Sequence, residues 1–122
     1  MPIVTIEIVG PLAPERIPSL AQRLADAAGR VFAAPPGTTW VRVRSLPLDA
    51  YAENDAATPP DEAPVFVQVL KRRVPDGAEL AAEVGALTLA IADVVGRSVS
   101  RVHVGYEAPA AGRMAFGGML VD

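Results

Sequence analysis

The sequence contains the same strand–helix–strand pattern twice, and this repetition constrains the fold more than any other feature. Segments 3–9 and 65–70 alternate with a period of two, as strands with one buried face do, and segments 40–44 and 102–106 repeat this alternation. Between the strands of each pair, apolar residues recur at helical spacing, in segments 17–31 and 80–95. The chain is therefore predicted to contain two βαβ units.

Matching residues of the two units lie 61 positions apart, as Val4 and Val65 do. Because a crossover helix joins strands that run parallel, each unit supplies two parallel strands. We therefore predict an α+β fold, an α/β sandwich in which a four-stranded sheet carries two helices on one face. The single domain, residues 1–122, is expected to consist of repeat one (2–44), a linker (45–64) and repeat two (65–118).

Local signals predict where these elements begin and end. The first helix should stop before the prolines of segment 34–37, because proline cannot continue a helix. The second should begin at Asp76 and Glu79, which have the spacing of a capping box, and end at Gly96. Residues 112–121 have the composition of a short hairpin. Two helices cover only one face of the sheet, so we expect subunit association to cover the other face and the strand edges.

Composition excludes several classes of function. The net charge of −3 lacks the basic excess that binding to a nucleic acid needs. The absence of cysteine excludes disulfide scaffolds, cysteine-ligated metal sites and thiol nucleophiles, and a single histidine excludes a multi-histidine metal site within one chain. We expect no metal and no nucleic-acid partner.

The chain shows no targeting segment, and no window reaches the ~18–20 apolar residues of a membrane span. We therefore expect a cytoplasmic protein with no membrane partner. The hydrophobic content of 51% and the mean hydropathy of +0.30 are high for a small domain. They indicate either surface buried between subunits or the effect of 22 alanines, which raise both values.

Pro2 is the residue whose position suggests chemistry. A proline after the initiator methionine is small enough for an aminopeptidase to remove Met1, which would leave a secondary amine at the terminus. An α-amino group has a pKa of ~7.7–8.0, and nearby cations or apolar walls lower it further. The alternative interpretation is that Pro2 only begins a strand, where its missing N–H does no harm.

The sequence resembles the tautomerase superfamily of 4-oxalocrotonate tautomerase. The resemblance lies in Met-Pro-Ile before an alternating strand, in the following helix, in Val-Arg-Val at 41–43, and in the spacing from Val102 to Gly117-Gly118. Segments 74–77 and 114–118 are also similar to macrophage migration inhibitory factor. It implies a homotrimer without a cofactor, in which an amino-terminal proline is the catalytic base and arginines bind a small carboxylate substrate.

The resemblance also implies which residues bind the substrate. Short members of the family have an arginine after the first strand, but this chain has Gly10-Pro11-Leu12 there. Arg72 and Arg73, which follow the third strand, are therefore expected to take its place. Arg42 matches the arginine of the Val-Arg-Val strand, where the second unit has His103. Tyr106 could line an apolar pocket, as could Tyr51, Trp40 and Phe116. The alternative interpretation is that the arginines are ordinary solvated charges and that the aromatic side chains belong to the core or to an interface.

Three functions are compatible with these residues. The first is keto–enol or double-bond isomerisation of a small 2-oxo or 2-hydroxy acid, with Pro2 as general base and acid and an arginine holding the carboxylate and the enolate. The second is a decarboxylase or hydrolytic dehalogenase of a three-carbon acid, in which Pro2 is protonated and Glu107 activates water. The third is a non-catalytic trimeric binding or scaffold protein. His103 without a positioned serine makes no catalytic triad.

Overall fold

A computed structural model describes residues 2–122, and the four predicted strands form one mixed sheet within them. These are β1 (Ile3–Val9), β2 (Trp40–Leu46), β3 (Val65–Leu70) and β4 (Val102–Tyr106), in the spatial order β2-β1-β3-β4. Helix α1 (Leu20–Val31) connects β1 to β2, and helix α2 (Gly77–Val95) connects β3 to β4. The predicted α+β architecture, with two βαβ units, is confirmed.

The strand pairing defines two ends of the sheet. Within each unit the strands are parallel, whereas β1 and β3 pair antiparallel at the centre. Ile3 lies opposite both Trp40 and Leu70. The starts of β1 and β2 therefore meet the ends of β3 and β4, and we call this end of the sheet the Pro2 end.

The core lies between the sheet and the two helices. Alternate residues of the central strands are fully or almost fully buried on this side: Val4, Ile6, Ile8, Val65, Val67 and Val69. Leu24 of α1 and Leu87 and Ile91 of α2 pack against them and are also inaccessible to solvent. Full burial of such a side chain contributes about 1.5–3 kcal/mol. The opposite face carries Thr5, Arg42 and Gln68 and has no helix over it.

The helices differ from expectation at their starts. α1 begins at Leu20, one turn later than the predicted Ile17, which is 57% exposed. Pro18 has no N–H and restricts the residue before it, so the chain first forms a 3₁₀ turn at Pro14–Arg16. α2 has Asp76 as its N-cap and ends at Gly96, as predicted. The predicted capping hydrogen bond of Asp76 is absent, because Gly77 follows with a φ of 56°, outside the helical region.

No helix among residues 2–122 is long and apolar enough to cross a membrane.

The predicted linker is tied to the sheet. β2 extends to Leu46, and the segment that follows contains 3₁₀ turns at Leu48–Ala50 and Pro60–Glu62. The ring of Tyr51 lies 6.0 Å from that of Phe66, and Arg101 donates to the Glu53 carboxylate at 2.6 Å. The division into repeats and linker stays a prediction.

A short hairpin closes the chain, as its composition predicts. β5 (Ala115–Phe116) and β6 (Met119–Leu120) are antiparallel, and Gly117 and Gly118 between them have φ values of 56° and 86°. A two-residue turn with positive φ at both positions favours glycine. The ring of Phe116 meets that of Trp40 edge to face, with their centroids 5.2 Å apart. The hairpin is therefore anchored beside the start of β2, at the Pro2 end.

A matched pair of leucines tests where the core lies. Leu24→Ala should lower the free energy of unfolding by about 2–5 kcal/mol, because it leaves a cavity between α1 and the sheet. Leu89→Ala, a change of the same size at a side chain that is 63% exposed, should alter it by less than about 0.5 kcal/mol. Chemical denaturation at one fixed protein concentration measures both, and equal losses would contradict the assigned core.

Candidate active site

Pro2 lies at the start of the central strand β1, where it is buried. Its carbonyl accepts a hydrogen bond of 3.0 Å from the backbone N–H of Trp40. Because Ile3 lies opposite Leu70, the residues that follow β3 leave the sheet at this same end. These residues are Lys71, Arg72 and Arg73, and we call them the cationic segment.

A hydrogen-bonded cluster fills the helix side of the Pro2 end. Tyr106 is aligned with buried Val69 and therefore faces the helices. Its hydroxyl donates to Oε2 of Glu83 at 2.5 Å, and Nζ of Lys71 donates to Oε1 of the same carboxylate at 2.6 Å. The Lys71 ammonium also lies 4.9 Å from the centroid of the Phe32 ring. We call Lys71, Glu83 and Tyr106 the Glu83 cluster.

Burial raises the pKa of Tyr106 well above its ordinary value, and the hydrogen bond to the Glu83 carboxylate and its negative charge raise it further. Tyr106 is therefore a neutral donor at physiological pH, and its proton is directed to Glu83. The Glu83 carboxylate also accepts a hydrogen bond from the Lys71 ammonium, so both of its oxygens have a partner. This cluster fixes the end of β3 against the first turns of α2.

The opposite face of the sheet forms a cavity of about 190 Å³ at the same end. Ile3, Leu70 and Met114 supply its apolar walls. Arg42, Glu107, Thr5 and Gln68 supply its polar groups. We call it the open-face cavity. Pro2 does not itself line the cavity, and it immediately precedes Ile3 at the start of β1.

Arg42 and Glu107 are the charged residues of this cavity, and neither forms an ion pair within the described part of the chain, residues 2–122. Nη2 of Arg42 donates to Oγ1 of Thr5 at 3.1 Å, which orients the guanidinium across the sheet. Among residues 2–122 the ion pairs join Lys71 to Glu83 and Arg101 to Glu53. The fork of Arg42 therefore keeps donors for an anionic ligand, since a guanidinium can bind a carboxylate through two parallel hydrogen bonds.

The predicted arginines of the cationic segment are on the surface. Arg72 is exposed, and its Nε donates to the backbone carbonyl of Asp122 at 2.6 Å. Arg73 is exposed in the bend after β3. The structure thus places Arg42 on the cavity beside Ile3, Tyr106 in the Glu83 cluster, and Arg72 against the carboxyl-terminal segment.

Two further residues that the sequence singled out lie in the second unit. His103 is exposed near the far end of the sheet, where its ring lies 5.7 Å from that of Phe66. Glu107 follows β4 and lines the open-face cavity. Sequence reasoning missed Lys71, Glu83 and Met114, because their positions depend on how α2 and the segment after β4 pack against the end of β3, which no local sequence pattern specifies.

A larger surface groove, of about 560 Å³, runs along α1 and the turn at residues 33–37. Of the candidate wall residues, Trp40 borders it, and neither Pro2 nor Arg42 does. No group of three or more histidine, aspartate or glutamate side chains within residues 2–122 is arranged to hold a metal ion.

Solved structures share this fold over nearly the whole chain. Pt0534 inactivated by 2-oxo-3-pentynoate is 24% identical, with a TM-score of 0.76, and the match covers 97% of this chain and 94% of that one. A fused 4-OT solved as an asymmetric trimer is 20% identical, with a TM-score of 0.78 and the same coverage. A macrophage migration inhibitory factor homologue from Prochlorococcus marinus is 16% identical, with a TM-score of 0.71, over 98% of this chain and 99% of that one.

A malonate semialdehyde decarboxylase inhibited by 3-bromopropiolate is also similar, with 19% identity and a TM-score of 0.69, over 94% of this chain and 88% of that one. No protein-family model and no curated protein sequence matches the chain. The resemblance to the tautomerase superfamily is confirmed for the fold, which this chain shares with fused 4-OT, macrophage migration inhibitory factor homologues and a malonate semialdehyde decarboxylase.

The Glu83 cluster predicts an unusual tyrosine titration. In a Tyr51→Phe background, which leaves Tyr106 as the single tyrosine, tyrosinate absorbance should appear only well above the ordinary pKa of ~10. Glu83→Gln should lower the pKa of Tyr106 only part of the way, because burial is the larger cause and remains. Glu79→Gln, on the exposed first turn of α2, is the matched control.

The sign of the linked stability effect follows from the raised pKa. The folded chain holds the Tyr106 proton more tightly than the unfolded chain, so this contribution to stability is complete below pH ~10 and is lost as the pH rises further. A Tyr106 that ionised at its ordinary pKa in the folded protein would contradict the cluster.

Proposed function

We propose that this chain is a cofactor-independent tautomerase that moves a proton between carbon and oxygen of a small 2-oxo or 2-hydroxy acid. Pro2, once Met1 has been removed, is the general base and acid. The observation that carries this proposal is the burial of Pro2 at the end of the sheet that also has the open-face cavity and the cationic segment. The fold supports it, since fused 4-OT proteins share it.

The surroundings of Pro2 favour a neutral amine. An α-amino group has an ordinary pKa of ~7.7–8.0. Burial disfavours its charged form, and so does a nearby positive charge, so both lower that pKa. Pro2 is buried, and two exposed arginines follow β3 at the same end of the sheet. A base with a pKa near or below neutrality can accept a proton from the carbon next to a carbonyl at physiological pH.

Binding of the carboxylate substrate is assigned to Arg42, Arg72 and Arg73. Arg42 lies on the cavity beside Ile3 and has no carboxylate partner among residues 2–122. A guanidinium there would hold the substrate carboxylate and stabilise the negative charge of the enolate without a metal. Tyr106 faces the helices and donates its proton to Glu83, so its proposed contribution to substrate binding is to hold the end of β4 in place rather than to donate to the substrate.

The proposed assembly is a homotrimer. The fused 4-OT of the same fold was solved as a trimer. In this chain, half-buried Phe66 lies on the sheet face that no helix covers, beside the ring of Tyr51 and outside the open-face cavity. Burial of these two rings between subunits would remove apolar surface from water. Sedimentation equilibrium should therefore give the mass of three chains, and a stable monomer would contradict the assembly.

One observation favours a second function, a decarboxylase. Glu107 places a carboxylate in the open-face cavity, where it could activate water while a protonated Pro2 acts as the acid. A malonate semialdehyde decarboxylase shares the fold. This alternative requires a pKa of Pro2 above neutrality, which its burial disfavours.

The central test of the first function is the ketonisation of phenylenolpyruvate, followed by ultraviolet absorbance on protein whose mass shows that Met1 has been lost. Pro2→Ala should lower kcat/KM by at least about 10²-fold, the usual contribution of a positioned acid–base group. Pro36→Ala, at an exposed proline in the turn before β2, should retain the wild-type rate. A Pro2→Ala variant with unchanged kcat/KM would contradict the role of Pro2.

Arg42 and Arg44 form a matched pair for the carboxylate site, because both are exposed and their positions on β2 place them on the same sheet face. Arg42→Ala should raise KM for a carboxylate substrate about tenfold or more, since it removes a charge-assisted hydrogen bond. Arg44→Ala should change KM little. Steady-state kinetics on the acid and its methyl ester separate the two effects, and an equal loss on both substrates would rule out Arg42 as the carboxylate ligand.

A further inference from the structure

The open-face cavity combines one cation, one anion and three apolar walls, and this combination restricts the acids that fit. Its cation is Arg42, which is held by Thr5 at 3.1 Å and is not paired with Glu107 across the cavity. One guanidinium fork matches one carboxylate. The cavity itself therefore offers a site for a single carboxylate group.

Ile3, Leu70 and Met114 form the remaining walls and favour a hydrocarbon group. Ile3 and Leu70 are directly opposite each other on β1 and β3, and both are half-buried. Met114, also half-buried, approaches from the segment before the closing hairpin. Methionine adapts to irregular shapes and contacts aromatic rings favourably. At about 190 Å³ the cavity is smaller than the ~300–1,000 Å³ of sites for drug-sized ligands, so it suits one ring or a short chain.

Glu107 adds a repulsive element to the same cavity. An acid whose first carboxylate binds Arg42 would bring a second carboxylate towards the Glu107 side chain, because both residues line this small space. Like charges a few ångströms apart repel each other even in water, and Glu107 and Arg42 are both exposed to water. A site can gain specificity in this way by disfavouring the wrong ligand.

We infer that the open-face cavity selects monocarboxylates that carry an aryl or other compact apolar group, and that it rejects dicarboxylates through Glu107. This inference rests on the proposed function, since it names the substrate class of the same site. The selecting residues are Arg42 for the carboxylate, Leu70 and Met114 for the apolar group, and Glu107 against a second anion.

Binding of unreactive acids tests this inference separately from catalysis. Isothermal titration calorimetry at low ionic strength compares hydrocinnamate, an aryl monocarboxylate, with glutarate, a dicarboxylate. Wild type and Pro2→Ala should both bind hydrocinnamate more tightly, by about fivefold or more, since a unit repulsion near 4 Å has this size even in water. Because Pro2→Ala removes only the proposed base, its binding preference is independent of the enolising activity.

Two matched pairs of variants identify the residues responsible. Glu107→Gln should strengthen glutarate binding and reduce the preference for hydrocinnamate over glutarate to about twofold or less. Glu15→Gln makes the same change of charge beyond the other end of β1 and should preserve that preference. Met114→Ala should weaken hydrocinnamate binding about fivefold or more and leave acetate binding unchanged. Met119→Ala, at a side chain that is 75% exposed, is the control.

Three results would overturn the inference: equal binding of the two acids by wild type, an unchanged preference in Glu107→Gln, or no binding of either acid at millimolar concentration. These results are distinguishable from failure of the proposed function. If Pro2→Ala abolishes enolisation and wild type binds both acids equally, the tautomerase stands and the substrate class is wrong. If the acids are discriminated and wild type has no enolising activity, the cavity binds such acids and the reaction is wrong.

Discussion

The antiparallel pairing of β1 with β3 is the interaction on which the rest of the structure depends. Each βαβ unit could form its own parallel pair, but only the central ladder, with Ile3 opposite Leu70 and Ile8 opposite Val65, joins the two into one sheet. It buries the valines and isoleucines of both central strands under the two helices. It also brings the start of the first strand beside the end of the third, so that Pro2 shares one end of the sheet with residues from the second unit.

At this end, the two faces of the sheet have different chemistry, because successive side chains of a strand point to opposite faces. On the helix side, Lys71 and Tyr106 both donate to Glu83, and these charges and polar groups satisfy one another. On the open side, Arg42 and Glu107 share a cavity without pairing. A satisfied cluster stabilises the fold, whereas unneutralised charges in a concave site are available to a ligand. The open side is therefore where we place the substrate.

Most of the fold was predictable from the sequence, since alternation with a period of two and helical spacing are local properties. The strands, the helices, their parallel pairing within each unit and the closing hairpin were all predicted correctly. The start of α1 was wrong because Pro18 interrupts an apolar pattern that extends back to Ile17. The Glu83 cluster and the wall formed by Leu70 and Met114 were not predictable, because they depend on how α2 and the segment before the closing hairpin pack against the ends of β3 and β4, which no local pattern specifies. The roles of Pro2, Arg42, Arg72, Arg73 and Tyr106 stay proposals.

The measurement that tests the account most directly is an NMR titration of the Pro2 nitrogen, on protein whose mass shows the loss of Met1. The account predicts that this nitrogen titrates as a secondary amine with a pKa at or below the ordinary ~7.7–8.0 of an α-amino group, because burial and the arginines after β3 disfavour its charged form. A pKa clearly above that range would contradict Pro2 as the base.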